Sequence, residues 1–92
     1  MTAAFDDLIH PRQRLMICAA LADMERIRFD VLASALEMSA PTLSKHVARL
    51  VDAGYVTSTP DAKDSRRTWL SLTAAGRTAY DGHVAALREL LA

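Results

Sequence analysis

Hydrophobic residues recur with helical spacing in four stretches of the chain, and these stretches predict four helices. Residues 11–24 are apolar almost all the way round the helix axis, which is typical of a helix buried on several sides. Residues 29–36 show a short second pattern, residues 40–53 carry an apolar stripe on one side, and residues 74–91 form a long last pattern. The buried stripe of the third helix is predicted to consist of Leu43, Val47, Leu50 and Val51.

Residues with strong positional preferences mark the ends of the third and fourth helices. Ser39 is predicted to cap the third helix with its hydroxyl, and Pro41 suits its first turn. Gly54 follows that helix where a left-handed residue commonly ends one. Thr73 is the predicted cap of the last helix. The helix boundaries are therefore encoded locally.

Two short segments between the third and fourth helices predict a β-hairpin. Residues 55–59 are rich in aromatic, β-branched and hydroxyl residues, and residues 68–72 alternate between apolar and polar. The polar loop at residues 60–67 is long for a hairpin, which indicates a use of its own. The whole chain, residues 1–92, is thus predicted to be one domain that is mainly α with a small β-hairpin: a winged helix-turn-helix.

Charge is unevenly distributed although the formal net charge is zero. Residues 41–77 contain six basic and three acidic residues, a net charge of +3, whereas residues 1–40 carry −2 and residues 78–92 carry −1. A surface built from the centre of the chain would be locally positive, which suits a nucleic-acid partner.

Several classes of function find no support in the sequence. Cys18 is the only cysteine, so an internal disulfide and a cysteine-based zinc cluster are excluded. The chain lacks a phosphate-binding loop and a catalytic motif, so we expect no enzyme, no cofactor and no metal. Its longest apolar run, residues 15–22, is shorter than the roughly 20 residues that a membrane span needs. We therefore expect a cytoplasmic protein without membrane contact.

The motifs resemble a known family when they are taken in order. Residues 42–56 resemble the recognition helix and following turn of MarR- and ArsR-type regulators. Residues 61–66 resemble the MarR wing, in which an Asp-x-Arg pair recurs, and residues 72–77 resemble the stretch after that wing. The resemblance covers nearly the whole chain and is closest in kind to small, stand-alone MarR-like regulators. It implies a transcriptional regulator, and a repressor in particular, that binds double-stranded DNA sequence-specifically.

The helical pattern and the resemblance together indicate which side chains face DNA. The third helix, residues 40–53, is expected in the major groove, and the wing, residues 60–67, on the backbone or in the minor groove. The resemblance implies that Asp64 braces Arg66 by a salt bridge. The expected DNA contacts are Thr42, Ser44, Lys45, His46, Arg49, Lys63, Arg66 and Arg67.

A homodimer is the expected assembly, because the apolar surface of the first and last helices is wider than one small core needs. A small-molecule effector would then fit only between subunits. The alternative interpretation is a winged helix that binds proteins and not DNA, which the neutral total charge leaves open. The predicted dimer contacts are Leu15, Ile17, Leu21, Tyr80, Val84, Leu87, Leu90 and Leu91.

Overall fold

Within residues 4–92, which the computed structural model describes, the chain forms four helices and three strands. The elements in chain order are α1 (Arg12–Ala22), β1 (Ile27–Arg28), α2 (Phe29–Ala35), α3 (Ala40–Asp52), β2 (Val56–Pro60), β3 (Thr68–Leu72) and α4 (Ala74–Leu91). The predicted winged helix-turn-helix is confirmed. The first helix is shorter than its apolar pattern predicts, and β1 is an element that the pattern does not indicate.

The predicted end signals act as expected. The Ser39 side chain accepts a hydrogen bond from the Thr42 amide at 3.3 Å, and the Thr73 hydroxyl accepts one from the Gly76 amide at 2.9 Å. Gly54 has a φ of 79°, a left-handed conformation that glycine adopts at no steric cost. Each signal satisfies backbone groups that a helix end leaves unpaired.

The turn between α2 and α3 is built around a left-handed residue that is not glycine. Glu37 has a φ of 54°. Just after it, the Met38 amide donates to the Ala33 carbonyl at 2.9 Å. This turn reverses the chain within a few residues and sets α3 against α2, which defines the helix-turn-helix.

The three strands form an antiparallel sheet in the order β1-β3-β2. Ile27 pairs with Leu70 on one side of β3, and Ser58 pairs with the same residue on the other side. The hydroxyl of Ser71 also donates to the Glu25 carbonyl at 2.7 Å. The inner strand of the wing is therefore tied to the connection between α1 and α2.

The core lies between the helices and the inner face of the sheet. One cluster contains Ile9, Ile17, Cys18, Leu21, Leu32, Leu43, Val47, Leu50, Val56, Leu70 and Leu72. Burial raises the pKa of the Cys18 thiol to about 11, so the thiol is protonated and unreactive at neutral pH. Val51, predicted in the buried stripe of α3, is 39% exposed, because it lies one residue beyond Leu50 and points past the edge of the core.

Two predicted dimer contacts lie inside the subunit. Ile17 and Leu21 have no exposed surface and pack in the core cluster, so they are not free to touch a second copy. Their place in the dimer prediction is wrong for a physical reason. A helix that is apolar all round needs cover on every side, and here the sheet, α3 and α4 of the same chain supply that cover in place of a partner.

The start of α4 packs closely against the segment before β2. Gly76 is buried against the Tyr55 backbone, so closely that a Cβ at this position would overlap the Tyr55 carbonyl. That carbonyl also accepts a hydrogen bond from the Thr73 amide at 3.0 Å. No helix in residues 4–92 is both long and apolar enough to cross a membrane.

Candidate nucleic-acid interface

The third helix separates its apolar and polar residues onto opposite sides. Leu43, Val47 and Leu50 are buried in the core. Ser44, Lys45 and Arg49 are exposed on the other side, as the helical pattern predicts. Because three buried residues hold α3 against the body of the protein, its exposed face is presented as a rigid surface.

Thr42 belongs to the cap of α3 as well as to its first turn. Its amide donates to the Ser39 side chain, and the Ser39 hydroxyl donates to Thr42 Oγ1 at 2.9 Å. The side chain of Thr42 is only partly exposed. Its own hydroxyl hydrogen remains able to donate, so Thr42 offers one donor at the N-terminal end of the helix.

His46 faces α1, although its position on the helix suggested an outward contact. Its Nε2 lies 2.8 Å from Gln13 Oε1, and its Nδ1 lies 3.1 Å from Arg14 Nη1. Both ring nitrogens are therefore engaged by α1 in the free protein. The sequence prediction of His46 as a DNA contact stays a prediction, and such a contact would first have to displace Gln13 or Arg14, neighbours that helical periodicity does not reveal.

The wing is organised by Asp61, which sequence reasoning did not single out. One carboxylate oxygen accepts hydrogen bonds from the amides of Lys63 and Asp64, each at 3.0 Å. The other accepts from the indole nitrogen of Trp69 at 2.8 Å. Led by the indole bond, these hydrogen bonds lower the pKa of Asp61, so it stays charged at neutral pH. An aspartate at the start of a polar turn was the available signal.

The wing loop itself carries three cationic side chains. Arg66 is 89% exposed and makes two hydrogen bonds to Asp64, from Nε at 3.0 Å and from Nη2 at 3.2 Å. Arg67 Nε lies 3.5 Å from the same carboxylate. The bond from Arg66 is the main reason that the pKa of Asp64 is lowered. The ion pair that the resemblance implies is present, and Lys63 is exposed beside it.

The base of the wing carries a further cation. The Arg26 guanidinium lies 3.9 Å from the centre of the Trp69 ring, in a cation–π arrangement. Arg26 belongs to the α1–β1 connection, so its contact with Trp69 depends on the pairing of β1 with β3. No group of three or more potential metal ligands occurs among the residues that the structure describes.

Comparison with protein families finds a match over almost the whole chain. The family described as "Winged helix DNA-binding domain" matches residues 13–91. This match and the fold agree with the resemblance to MarR-like regulators that the sequence motifs indicated. Among curated proteins, no relative matches the chain.

Solved structures with the same fold include several regulators. A transcriptional regulator homologue from Pyrococcus horikoshii OT3 is 20% identical with a TM-score of 0.88, over 91% of this chain and 84% of that one. NadR in complex with 4-hydroxyphenylacetate is 28% identical with a TM-score of 0.79, over 91% of this chain and 60% of NadR. AbfR bound to DNA is 19% identical with a TM-score of 0.80, over 86% of this chain and 58% of AbfR. The chain thus spans little more than half the length of NadR and AbfR.

Proposed function

The chain belongs to the winged helix DNA-binding domain family, and on this basis we propose that it is a sequence-specific transcriptional regulator of double-stranded DNA. The observation that carries the proposal is α3, whose apolar side is fixed in the core while Ser44, Lys45 and Arg49 face outward. AbfR, which has the same fold, was determined bound to DNA, which supports the same use of the fold here.

In the proposed complex α3 enters the major groove with its N-terminal half leading. Lys45 is an exposed donor suited to the O6 and N7 atoms of guanine, and Thr42 offers a hydroxyl at the same end. Arg49 lies further along the helix and suits a phosphate. Lys63, Arg66 and Arg67 of the wing suit the backbone or a narrow minor groove.

Lys45→Ala is expected to relax sequence preference at a few positions of each half-site. Removing a good hydrogen bond to a base should cost about 1–3 kcal/mol against the preferred base and less against others. Selection of bound sequences from a random duplex pool, with wild type and variant in parallel, measures this. Identical selected motifs for the two proteins would mean that Lys45 does not read bases.

Arg66→Ala is expected to weaken binding about equally on selected and random DNA, because a wing arginine reads charge and shape. The slope of log affinity against log salt should shrink by about one unit for each phosphate that the variant no longer neutralises. Arg88→Ala is the matched control once sedimentation shows that it dimerises like the wild type, since it removes the same charge from the last turn of α4. An unchanged slope together with an unchanged affinity for Arg66→Ala would show that Arg66 does not touch DNA.

We further propose a homodimer formed through the C-terminal half of α4. Leu90 and Leu91 are 71% and 86% exposed, and Val84 and Leu87 are half-buried beside them. Tyr80 and Leu15 pack partly on the core, so they contribute only their remaining surface. An apolar patch on the surface of a small domain commonly marks an interface.

Replacing both Leu90 and Leu91 by Glu is expected to raise the dimer dissociation constant more than about tenfold, since interface anchors of this kind each contribute about 1 kcal/mol or more. Glu89→Gln, in the same turn, is the control. Sedimentation equilibrium gives the dissociation constants. A wild-type protein that stays monomeric at high micromolar concentration would exclude the dimer.

We propose that the protein represses transcription by occupying a promoter site, and that it acts in the cytoplasm. NadR was determined with 4-hydroxyphenylacetate, and we propose that a small-molecule effector of the present protein would bind between subunits. The competing function, a protein-interaction module, predicts no mobility shift of any duplex at low salt, and a gel-shift experiment decides between the two.

A further inference from the structure

One bridge joins α1 to the middle of α3 and has no part in the core. His46 of α3 lies between two neighbouring residues of α1, with Gln13 Oε1 at 2.8 Å from Nε2 and Arg14 Nη1 at 3.1 Å from Nδ1. Arg14 is held in turn, because its Nε donates to the Leu8 carbonyl. The bridge therefore connects the segment before α1, α1 itself and α3.

The hydrogen-bond partners allow only one protonation state of His46. A guanidinium has donors and no acceptor, so Arg14 must donate and Nδ1 must be unprotonated. The single ring proton then lies on Nε2, where Gln13 Oε1 accepts it. A second proton would place a donor on Nδ1 against a cation, and that hydrogen bond would break.

The surroundings oppose a second proton as well. The charged groups that act on His46 are Arg14 from α1 and Lys45 and Arg49 from α3, and all three are cationic. Burial first and then these charges lower the pKa of His46. The neutral state that the bridge requires is thus the state that its environment favours.

We propose that His46 is a positioning residue: its neutral imidazole, held between Gln13 and Arg14, fixes the direction in which α3 projects from the body of the protein. This role rests on the proposed function, in which α3 reads the major groove. Core packing sets the distance of α3 from α1, whereas a directional bond at the rim resists rotation of the helix about its own axis. Such a rotation would misplace Lys45 without unfolding the domain.

The state of His46 can be measured in the free protein, without DNA. Long-range ¹H–¹⁵N NMR correlation distinguishes a protonated ring nitrogen from an unprotonated one. The bridge predicts a single Nε2–H tautomer that titrates below free histidine. Gln13→Glu should raise the pH of titration, since a carboxylate would then accept from Nε2. A tautomer mixture that titrates like free histidine, in wild type and Gln13→Glu alike, would overturn the bridge.

The positioning role is tested on DNA through Gln13, which is neutral and not on α3. Gln13→Leu should lower the ratio of selected-site to random-duplex affinity about three- to tenfold, the equivalent of one missing hydrogen bond, with the salt slope unchanged. Gln13→Glu keeps an acceptor and should retain the wild-type ratio. Thr78→Val, an exposed polar-to-apolar change on α4, is the control and should also retain it.

The outcomes separate this role from the function on which it rests. If the wild type selects a DNA site and Gln13→Leu keeps the full ratio, His46 does not position α3. If selected-site and random-duplex affinities fall together with the salt slope, the bridge acts through charge and the proposal is again wrong. If the wild type shifts no duplex, the proposed function fails and takes this role with it, whatever tautomer NMR finds.

Discussion

Gly76→Ala is expected to lower the free energy of unfolding by about 3 kcal/mol or more, at the upper end of what overpacking costs. The new Cβ would overlap the Tyr55 carbonyl. The Cβ is fixed to the α4 backbone and the carbonyl is itself backbone, so neither group can move without moving the chain. Relief requires the first turn of α4 to move away from the segment before β2. That movement would also break the hydrogen bond from the Thr73 amide to the same carbonyl.

Gly82→Ala is the matched control in the same helix. The nearest atom to a Cβ at Gly82 is the Ala4 carbonyl oxygen at 3.5 Å, an ordinary van der Waals distance. Alanine is a better helix former than glycine by about 1 kcal/mol, so this substitution should be neutral or stabilising. Urea unfolding followed by circular dichroism measures both variants. Equal stability of Gly76→Ala and wild type would mean that α4 does not pack on Tyr55 as described.

Acidification from pH 8 to pH 5 is expected to lower the thermal midpoint by about 5 °C, the effect of a change near 1 kcal/mol in a domain of this size. The main cause is His83, which is completely buried in α4. Its Nδ1 accepts from the Asp6 amide at 2.9 Å, so the ring proton lies on Nε2, 3.2 Å from His10 Nδ1. The bonding pattern holds His83 neutral.

The direction of the effect follows from the pKa of His83. Burial first, and then the neighbouring His10, lower it below the usual value, while Asp6 and Asp7 oppose the shift. The unfolded chain therefore takes up a proton at about pH 6.5, whereas the folded chain takes it up only at a lower pH. Stability is full above that pH, falls as the pH drops below it, and levels off once the folded pKa is passed. His46 contributes with the same sign, because its pKa is also lowered.

Single substitutions separate the two histidines. His83→Asn retains an acceptor for the Asp6 amide but cannot titrate, so it should reduce stability at pH 8 and flatten the dependence on pH. His46→Asn should flatten it less, because His46 is only partly buried. Calorimetric scans at half-unit pH intervals give the profiles. A wild-type midpoint independent of pH between 8 and 5 would contradict a neutral, buried His83.

Those parts of the fold that depend on local chemistry could be predicted from the sequence. Ser39, Gly54 and Thr73 act on residues within a few positions of themselves, and each marks the boundary expected of it. The exposure of Lys45 and Arg49 could be predicted from the amphipathic pattern of α3 for the same reason, since a helix with one apolar side turns its other side outward.

The remaining features depend on contacts between distant parts of the chain. The two residues of β1 are too few to show an alternation of apolar and polar positions. They form a strand only because Leu70 and Trp69 lie opposite them. The neighbours of His46 come from α1, and Asp61 holds Trp69 across the hairpin. The apolar residues of α1 look the same in a sequence whether a partner or the same subunit covers them, as Ile17 and Leu21 illustrate.

The central place of β3 in the sheet makes the two strands of the wing unequal. Trp69 and Leu70 of β3 are paired on both sides, whereas β2 has one edge open along its whole length. The amide hydrogens at Trp69 and Leu70 should therefore exchange with solvent only when the sheet opens, while the outward amides of β2 exchange freely. The longer open edge of the wing, where a foreign strand could add, is that of β2, and Pro60 at the end of that strand offers no N–H there. The wing can thus fray from its outer strand inward while its link to the α1–α2 connection stays closed.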